Sequence, residues 1–196
     1  MLDVHVLIHH STPAAWVRQC CDSVADAAAH AGYPVRVHWL AGTGTHLGYN
    51  RRRGYALGDY QYVTSVDDDD WVDRDAFALL HDALAAGHPA VTTRMIRHRP
   101  DGSHDTPPLR VNLRVFQRSL AESAPLADYP LYDSWVMLAH ADANGGVTEL
   151  GCAPYHQRLH DSPHSRLVRA ASADVTGKYA QFQNVWVARH PGVTGG

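Results

Sequence analysis

The sequence predicts an α/β fold, a single domain with a mainly parallel sheet flanked by helices. Apolar runs rich in β-branched residues alternate with amphipathic segments of helical period through the first half of the chain. This alternation is typical of βαβ units, whose strands run parallel and whose crossovers are right-handed. With 196 residues, of which 45% are hydrophobic and 19% charged, the chain is long enough for one domain with a substantial core and short for two.

The first half carries the clearest pattern. Strands are predicted at residues 4–8, 35–40, 60–66 and 90–93, where short apolar runs end at turn-forming residues. Between them, helices are predicted around residues 16–27, 49–57 and 77–84. The first helix begins after Ser11-Thr12-Pro13, which offers a capping hydroxyl and a proline for the first turn. Gly32 and Pro34 end it.

The second half is less regular. Residues 97–108 are rich in proline, charge and histidine, and we expect a loop or hairpin there. A strand leading into a helix is predicted at residues 111–120, and a further helix at 133–143, ended by Asn144-Gly145-Gly146. A last short strand is predicted at residues 147–150.

Composition narrows the class of protein. The net charge of −3 gives no overall attraction to nucleic acid or to an anionic membrane. Three cysteines, two of them adjacent, form neither a disulfide framework nor a CxxC metal motif. The sequence has no apolar run of membrane-spanning length, and its first residues lack the basic segment and apolar core that are typical of a signal peptide. We therefore expect a cytoplasmic protein, with the oligomeric state left open.

Four consecutive aspartates, Asp67 to Asp70, directly follow the third predicted strand. Ligands bind beyond the carboxyl ends of the strands in sheets of this kind. Adjacent carboxylates repel each other, and a hard divalent cation such as Mg²⁺ or Mn²⁺ would relieve that repulsion. The alternative is a solvated acidic loop that stabilises the amino-terminal end of the following helix.

Residues 50–72 resemble a segment of the family 2 glycosyltransferases, which have the GT-A fold. That segment contains a helix rich in Arg and Asn, an A-x-G-[ED]-Y turn, a strand and a D-x-D-D motif. Ala56, Gly58, Asp59 and Tyr60 match the turn, and the four aspartates match the acidic motif.

A second block is similar to the same family. Asp133 stands where those enzymes have an acidic motif opening a helix, and Gly145-Gly146 follows in the expected order. The stretch from Tyr155 to Ser165 is similar to their Y-R-x-H-x-x-S-x-S segment. The resemblance covers most of residues 3–166. It implies a nucleotide-sugar-binding half at residues 1–95, an acceptor and catalytic half at 96–170, and a tail at 171–196 that packs on the domain.

The resemblance implies metal-dependent, inverting transfer of a sugar from a nucleotide-diphosphate donor to an acceptor hydroxyl. The donor is expected to be a UDP-sugar, and the metal Mn²⁺ or Mg²⁺. Asp133 is the implied general base. The implied donor-binding residues are His10, Ser11, Thr12, Arg51, Arg52, Asp67 and Asp68. The implied metal ligands are Asp67, Asp69 and His160.

The chain departs from the family pattern at several places. Ala41-Gly42-Thr43-Gly44 stands where the family has acidic residues that hold the nucleoside, and Tyr132 replaces the glutamate of the usual Glu-Asp pair. Gly42 to His46 is similar to the G-x-G-T-[RK] loop of sugar nucleotidylyltransferases, although it follows the second strand rather than the first.

Other functions are compatible with the same sequence. One is a non-catalytic domain that binds a nucleotide-sugar or a metal. Another is a zinc site formed by His156 and His160, which needs a helix to bring the two rings together. The acceptor could be a saccharide, a lipid-linked glycan, a protein hydroxyl or a hydroxymethylated base of phage DNA. The arginines within residues 94–114 are candidates for binding it.

Overall fold

The protein is a mixed α/β structure in which a mostly parallel central sheet is flanked by helices. The computed structural model describes residues 1–43, 47–106, 112–126 and 133–160, with backbone alone for residues 112 and 133–135. The predicted fold class is confirmed.

The strands are β1 (Leu2–Ile8), β2 (Val35–Ala41), β3 (Tyr62–Asp67), β4 (Trp71–Val72), β5 (Ala90–Thr93), β6 (Met95–His98), β7 (His104–Asp105), β8 (Asn112–Gln117), β9 (Thr148–Glu149) and β10 (Tyr155–Arg158). The helices are α1 (Ala14–Ala29), α2 (Leu47–Tyr55), α3 (His81–Ala85), α4 (Arg118–Ser123) and α5 (Asp133–Ala143). A 3₁₀ turn at Ala78–Leu80 precedes α3, so the helix expected at residues 77–84 is a tight turn followed by a short helix.

Six strands form the central sheet in the order β2-β1-β3-β8-β5-β9. Strand β1 pairs in parallel with β2 and with β3, whereas β8 is antiparallel to both of its neighbours. Leu7, near the carboxyl end of β1, lies opposite Asp67 at the carboxyl end of β3. The acidic run therefore begins at the edge of the sheet where parallel α/β folds bind their ligands.

Alternate residues of the central strands enter two hydrophobic cores. On one face Val4 and Val66 pack with Cys20 and Val24 of α1. On the other face Val63 and Phe116 belong to the core that includes residues of α2, α4 and α5. The period of two along each strand thus produces three layers, helix, sheet and helix.

A second, four-stranded sheet has the order β4-β10-β6-β7. Strands β6 and β7 are antiparallel and form the hairpin expected within residues 97–108. The strand predicted at residues 147–150 is present as β9, but it is not the last one, because β10 follows at Tyr155–Arg158. Its sequence, Tyr-His-Gln-Arg, has little apolar character, and pairing with β4 and β6 on its two sides stabilises it.

At the amino-terminal end of the central sheet, a buried aspartate accepts three hydrogen bonds. The Asp3 carboxylate accepts hydrogen bonds from Arg118, 2.5 Å away, from the Tyr60 main-chain N–H and from His38, each at 2.8 Å. Gly58 has a φ of +77°, and a Cβ atom there would overlap the Asp3 carboxylate. The glycine of the A-x-G-[ED]-Y turn is therefore required by the close approach of Asp3.

No helix in the described part of the chain is long and apolar enough to cross a membrane.

We expect Gly58→Ala to destabilise the protein more than Gly32→Ala does. Gly32 has a similar φ of +76°, and no atom lies within 4 Å of the position that a Cβ atom would take there. Gly32→Ala therefore costs only the left-handed strain of about 1–2 kcal/mol. Gly58→Ala adds a steric overlap with Asp3 that costs roughly a further 1–3 kcal/mol. Urea unfolding of the two variants measures the difference, and equal losses would contradict the role given to Asp3.

Candidate active site

The four aspartates form a turn in which buried and partly exposed side chains alternate. The turn closes with the Asp70 N–H donating to the Asp67 carbonyl at 3.0 Å. The side chains of Asp67 and Asp69 are 41% and 28% exposed, whereas Asp68 and Asp70 are buried. Two carboxylates thus face the solvent and two hold the turn in place.

Asp68 fixes the turn to the loop between β1 and α1. Its carboxylate accepts a hydrogen bond from the His9 main-chain N–H at 2.7 Å and another from the Thr12 hydroxyl. Both groups belong to the loop that was predicted to bind the donor. In this structure the Asp68 carboxylate stabilises that loop through these two hydrogen bonds.

Asp70 fixes the turn to the second sheet. Its carboxylate accepts hydrogen bonds from the Tyr155 hydroxyl at 2.8 Å and from the Arg158 main-chain N–H at 2.7 Å. The Tyr155 hydroxyl is also 3.4 Å from the Asp67 N–H, which donates to it. Asp70 therefore determines where β10, and with it Arg158, lies relative to the acidic turn.

Arg51 reaches from helix α2 and forms an ion pair with Asp67. Its side chain is only 1% exposed, unlike that of Arg52, which is exposed. Arg51 was predicted to contact a diphosphate directly. In the structure its side chain is buried and paired with Asp67, and it orients that carboxylate.

Asp69 contacts both His160 and Arg158. His160 Nε2 lies 2.7 Å from Asp69 Oδ2, and the Arg158 guanidinium donates to the Asp69 main-chain carbonyl. The guanidinium also lies 4.6 Å from the ring centroid of Trp16 and 4.9 Å from that of Trp71. These two aromatic rings hold a cation beside the exposed carboxylates.

Burial and mutual repulsion make the carboxylates of the turn costly to ionise. Burial raises the pKa of Asp68. Burial, followed by the neighbouring charge of Asp67, raises the pKa of Asp69. The pKa of Asp70 lies well above its usual range, first because of burial and then because of Asp69 and Asp67. A bound cation would relieve this repulsion.

The side chains of this turn could supply only part of the ligand set of a divalent ion. Within the described ranges, no group of three or more His, Cys, Asp and Glu side chains is arranged to hold a metal ion. Asp67 is engaged by Arg51, while Asp69 and His160 contact each other. Mg²⁺ is usually held by one or two carboxylates together with substrate phosphates. The donor set around Asp69 fits an ion that arrives with a diphosphate.

The other predicted residues lie in the loop after β1 and at the start of helix α5. His10 and Ser11 are exposed and Thr12 is half-buried in the loop after β1, whose Thr12 N–H donates to the His9 carbonyl at 3.2 Å. Helix α5 begins at Asp133, the predicted base, whose side chain lies outside the described part of the structure.

Two alternative sites can be compared with the structure. His156 belongs to strand β10 and not to a helix, so the helical spacing that a zinc site with His160 would need is absent. Of the loop similar to that of nucleotidylyltransferases, Gly42 and Thr43 are described and Gly44, Thr45 and His46 are not. Asn50 binds the main chain of Thr43, with its carbonyl oxygen 3.2 Å from the Thr43 nitrogen.

Sequence reasoning missed the contributions of Trp16, Trp71 and Tyr155. Trp16 also lies against the His160 ring, with the ring centroids 4.8 Å apart. One signal was available in the sequence, because Trp71 directly follows the acidic run and Tyr155 opens the second family-like segment. The pairing of these residues with Arg158 and Asp70 is tertiary and has no local pattern.

We expect Tyr155→Phe to lower the free energy of unfolding by about 1–3 kcal/mol, because it leaves a buried carboxyl oxygen of Asp70 without its donor. Tyr33→Phe is the matched control. The Tyr33 hydroxyl donates to the Phe77 carbonyl at 2.9 Å in a partly buried position, and we expect a loss of only about 0.5–1.5 kcal/mol. Chemical denaturation tests both variants, and a smaller loss for Tyr155→Phe than for Tyr33→Phe would refute the role of Asp70.

Comparisons with known proteins bear on the fold. No family model and no curated protein matches the sequence. TarS of S. aureus aligns with a TM-score of 0.60 and 14% identity over 96% of this chain and 43% of its own. This chain thus spans less than half of that protein. TarS 1–349 in complex with UDP aligns with a TM-score of 0.58 and 14% identity over 95% of this chain and 78% of its own.

Two further solved structures resemble this one. TarS 1–349 in complex with UDP-GlcNAc has a TM-score of 0.57 and 15% identity over 84% of this chain and 60% of its own. The 4-diphosphocytidyl-2C-methyl-D-erythritol synthase of Anaerococcus prevotii has a TM-score of 0.50 and 13% identity over 80% of this chain and 88% of its own. At these identities the likeness concerns the fold, and the chain is similar in fold to GT-A transferases.

Proposed function

We propose that this protein is a glycosyltransferase that transfers a sugar from a UDP-sugar donor to an acceptor hydroxyl with inversion. The observation that carries the proposal is the pair of partly exposed carboxylates, Asp67 and Asp69, at the carboxyl end of β3. The fold is shared with TarS, whose structures include complexes with UDP and UDP-GlcNAc, and this supports the choice of donor.

In this proposal Asp67 and Asp69 have different roles. Asp67, oriented by Arg51, binds the hydroxyl groups of the donor's ribose or sugar. Asp69 and His160, which contact each other, would hold Mn²⁺ or Mg²⁺ together with the diphosphate. When bound, that ion supplies positive charge that stabilises the leaving diphosphate.

Arg158 contributes a second positive charge beside the leaving group. Its guanidinium is held by Trp16, Trp71 and the Gln19 side chain, which accepts a hydrogen bond at 2.6 Å. A cation held in advance by the protein needs no reorganisation when charge develops on the diphosphate. The loop containing His10, Ser11 and Thr12 would border the same diphosphate, with Arg52 nearby on α2.

Asp133 is the proposed general base at the start of α5. Its carboxylate takes the proton of the acceptor hydroxyl while the hydroxyl oxygen forms a bond to the anomeric carbon. The bond between that carbon and the diphosphate oxygen breaks on the opposite face, which inverts the configuration. The transition state has oxocarbenium character, as in glycoside hydrolysis, and a positioned carboxylate base contributes about 10²–10⁴-fold to the rate.

A sugar nucleotidylyltransferase is the second candidate. The specific observation in its favour is the structural likeness to the 4-diphosphocytidyl-2C-methyl-D-erythritol synthase, at a TM-score of 0.50. The two reactions differ in their products, since nucleotidyl transfer from UTP releases pyrophosphate and glycosyl transfer releases UDP. Detection of pyrophosphate with UTP and a sugar phosphate would select this second function.

We expect Asp69→Asn to weaken metal-dependent donor binding by at least about tenfold, which lowers ligand stabilisation by about 1.4 kcal/mol. Thermal unfolding with UDP-GlcNAc and Mn²⁺ measures this loss, because a ligand bound only by the folded state raises the apparent stability. Asp82→Asn is the matched control, since the Asp82 side chain is fully exposed on α3, and its response should equal that of the unmodified protein.

We expect Asp133→Asn to retain donor binding and to lose transfer by about 10²–10⁴-fold. The same thermal assay measures binding, and UDP release measures turnover. Normal UDP release by the Asp133 variant would remove this residue as the base. Loss of UDP-GlcNAc binding by the same variant would assign it to the donor site instead.

A further inference from the structure

Three hydrogen-bonded side chains form a relay beyond the acidic turn, at the second sheet. Asp73 Oδ1 lies 2.9 Å from His156 Nε2, and His156 Nδ1 lies 2.9 Å from His98 Nε2. His156 belongs to β10, His98 to the adjacent strand β6, and Asp73 follows β4. The ring nitrogens are directed at one another, so the cluster is a chain of donors and acceptors.

With both imidazole rings neutral, this series of hydrogen bonds assigns a position to each ring hydrogen. An ionised carboxylate only accepts hydrogen bonds, so His156 Nε2–H donates to Asp73. The neutral His156 ring then accepts at Nδ1, and His98 Nε2–H is the donor. Nδ1 of His98 consequently keeps its lone pair. Among the described residues, no hydrogen bond to this nitrogen is formed.

The surroundings of His98 favour its neutral form. Burial first, and then the nearby His156, His104 and Arg158, lower the pKa of His98. These are groups on β10 and β7, the strands that pair with β6 on either side. A neutral imidazole with a free lone pair accepts hydrogen bonds. The nearby Arg158 guanidinium disfavours an ammonium donor and leaves a hydroxyl as the preferred partner.

The relay is connected to the acidic turn through Trp71. The Trp71 ring is stacked on His156, with centroids 5.0 Å apart and planes 7° apart, and its centroid is 4.6 Å from that of His98. Arg158 contacts both the Trp71 ring and the Asp69 carbonyl. Trp71, His98 and His156 are all partly exposed.

We propose that His98 Nδ1 accepts a hydrogen bond from a hydroxyl of the acceptor substrate, and that this acceptor is a saccharide. A sugar ring presents a hydroxyl next to an apolar C–H face, which matches a lone pair next to an indole ring. Asp73 and His156 are positioning residues that hold His98 in the accepting tautomer. The inference rests on the transfer reaction proposed above, because it requires an acceptor.

Nuclear magnetic resonance of the ¹⁵N-labelled full chain, titrated with methyl β-D-glucopyranoside, tests the proposal. We expect the His98 ring to show a hydrogen on Nε2 and none on Nδ1, and the sugar to shift the His98 and Trp71 ring resonances. His98→Phe keeps a ring against Trp71 and removes the acceptor. We expect it to weaken sugar binding, followed at the Trp71 indole, by roughly threefold to tenfold, as for the loss of one hydrogen bond.

His81→Phe is the matched control, because His81 is an exposed histidine on α3 whose ring lies against Tyr33, and its sugar binding should be unchanged. Asp73→Ala should give His98 a mixture of the two tautomers, which a merely structural role for Asp73 would not do. A hydrogen on His98 Nδ1, no response to the sugar, or equal binding by His98→Phe would each overturn the proposal. Binding of UDP by the same samples tests the donor site separately.

Discussion

The buried carboxylate of Asp70 joins the two sheets of the protein at the edge where the candidate active site lies. It binds the Tyr155 hydroxyl and the Arg158 main-chain N–H, both in β10. Since β10 carries Arg158 and leads to His160, one buried group positions the cation beside the acidic turn and the histidine in contact with Asp69. A buried carboxyl group must be hydrogen-bonded to be tolerated, and this requirement makes the junction specific.

Buried and partly exposed aspartates alternate in the acidic turn, so that two of them support the structure and two are available to bind a ligand. Asp68 and Asp70 face inwards and bind the loop after β1 and strand β10. Asp67 and Asp69 remain accessible and are themselves oriented, the first by Arg51 and the second by His160. The four adjacent carboxylates therefore have different roles, and they need not all be metal ligands. On helix α2, the buried guanidinium of Arg51 partly neutralises the charge of the turn.

The sequence predicted the features that have a local period and missed those that depend on distant partners. The apolar runs of β1, β2, β3 and β5 identify buried strands, and the place of the acidic turn follows from the end of β3. Strand β10 has no such run, and its pairing with β4 and β6 stabilises it. Burial of Arg51 could not be predicted, because arginine on a helix is usually solvated and its partner Asp67 lies in another element. The same holds for the contact of Arg158 with Trp16.

The central claim is that a divalent ion and a UDP moiety bind together at the partly exposed carboxylates of the acidic turn, Asp67 and Asp69. Paramagnetic broadening of backbone amide resonances by Mn²⁺, recorded with and without UDP, tests it most directly. The account predicts broadening centred on Asp67, Asp69 and His160 that strengthens when UDP is added. It also predicts sharp resonances for Asp3 and Arg118, which lie at the other end of the central sheet. Broadening centred elsewhere, or unchanged by UDP, would contradict the account.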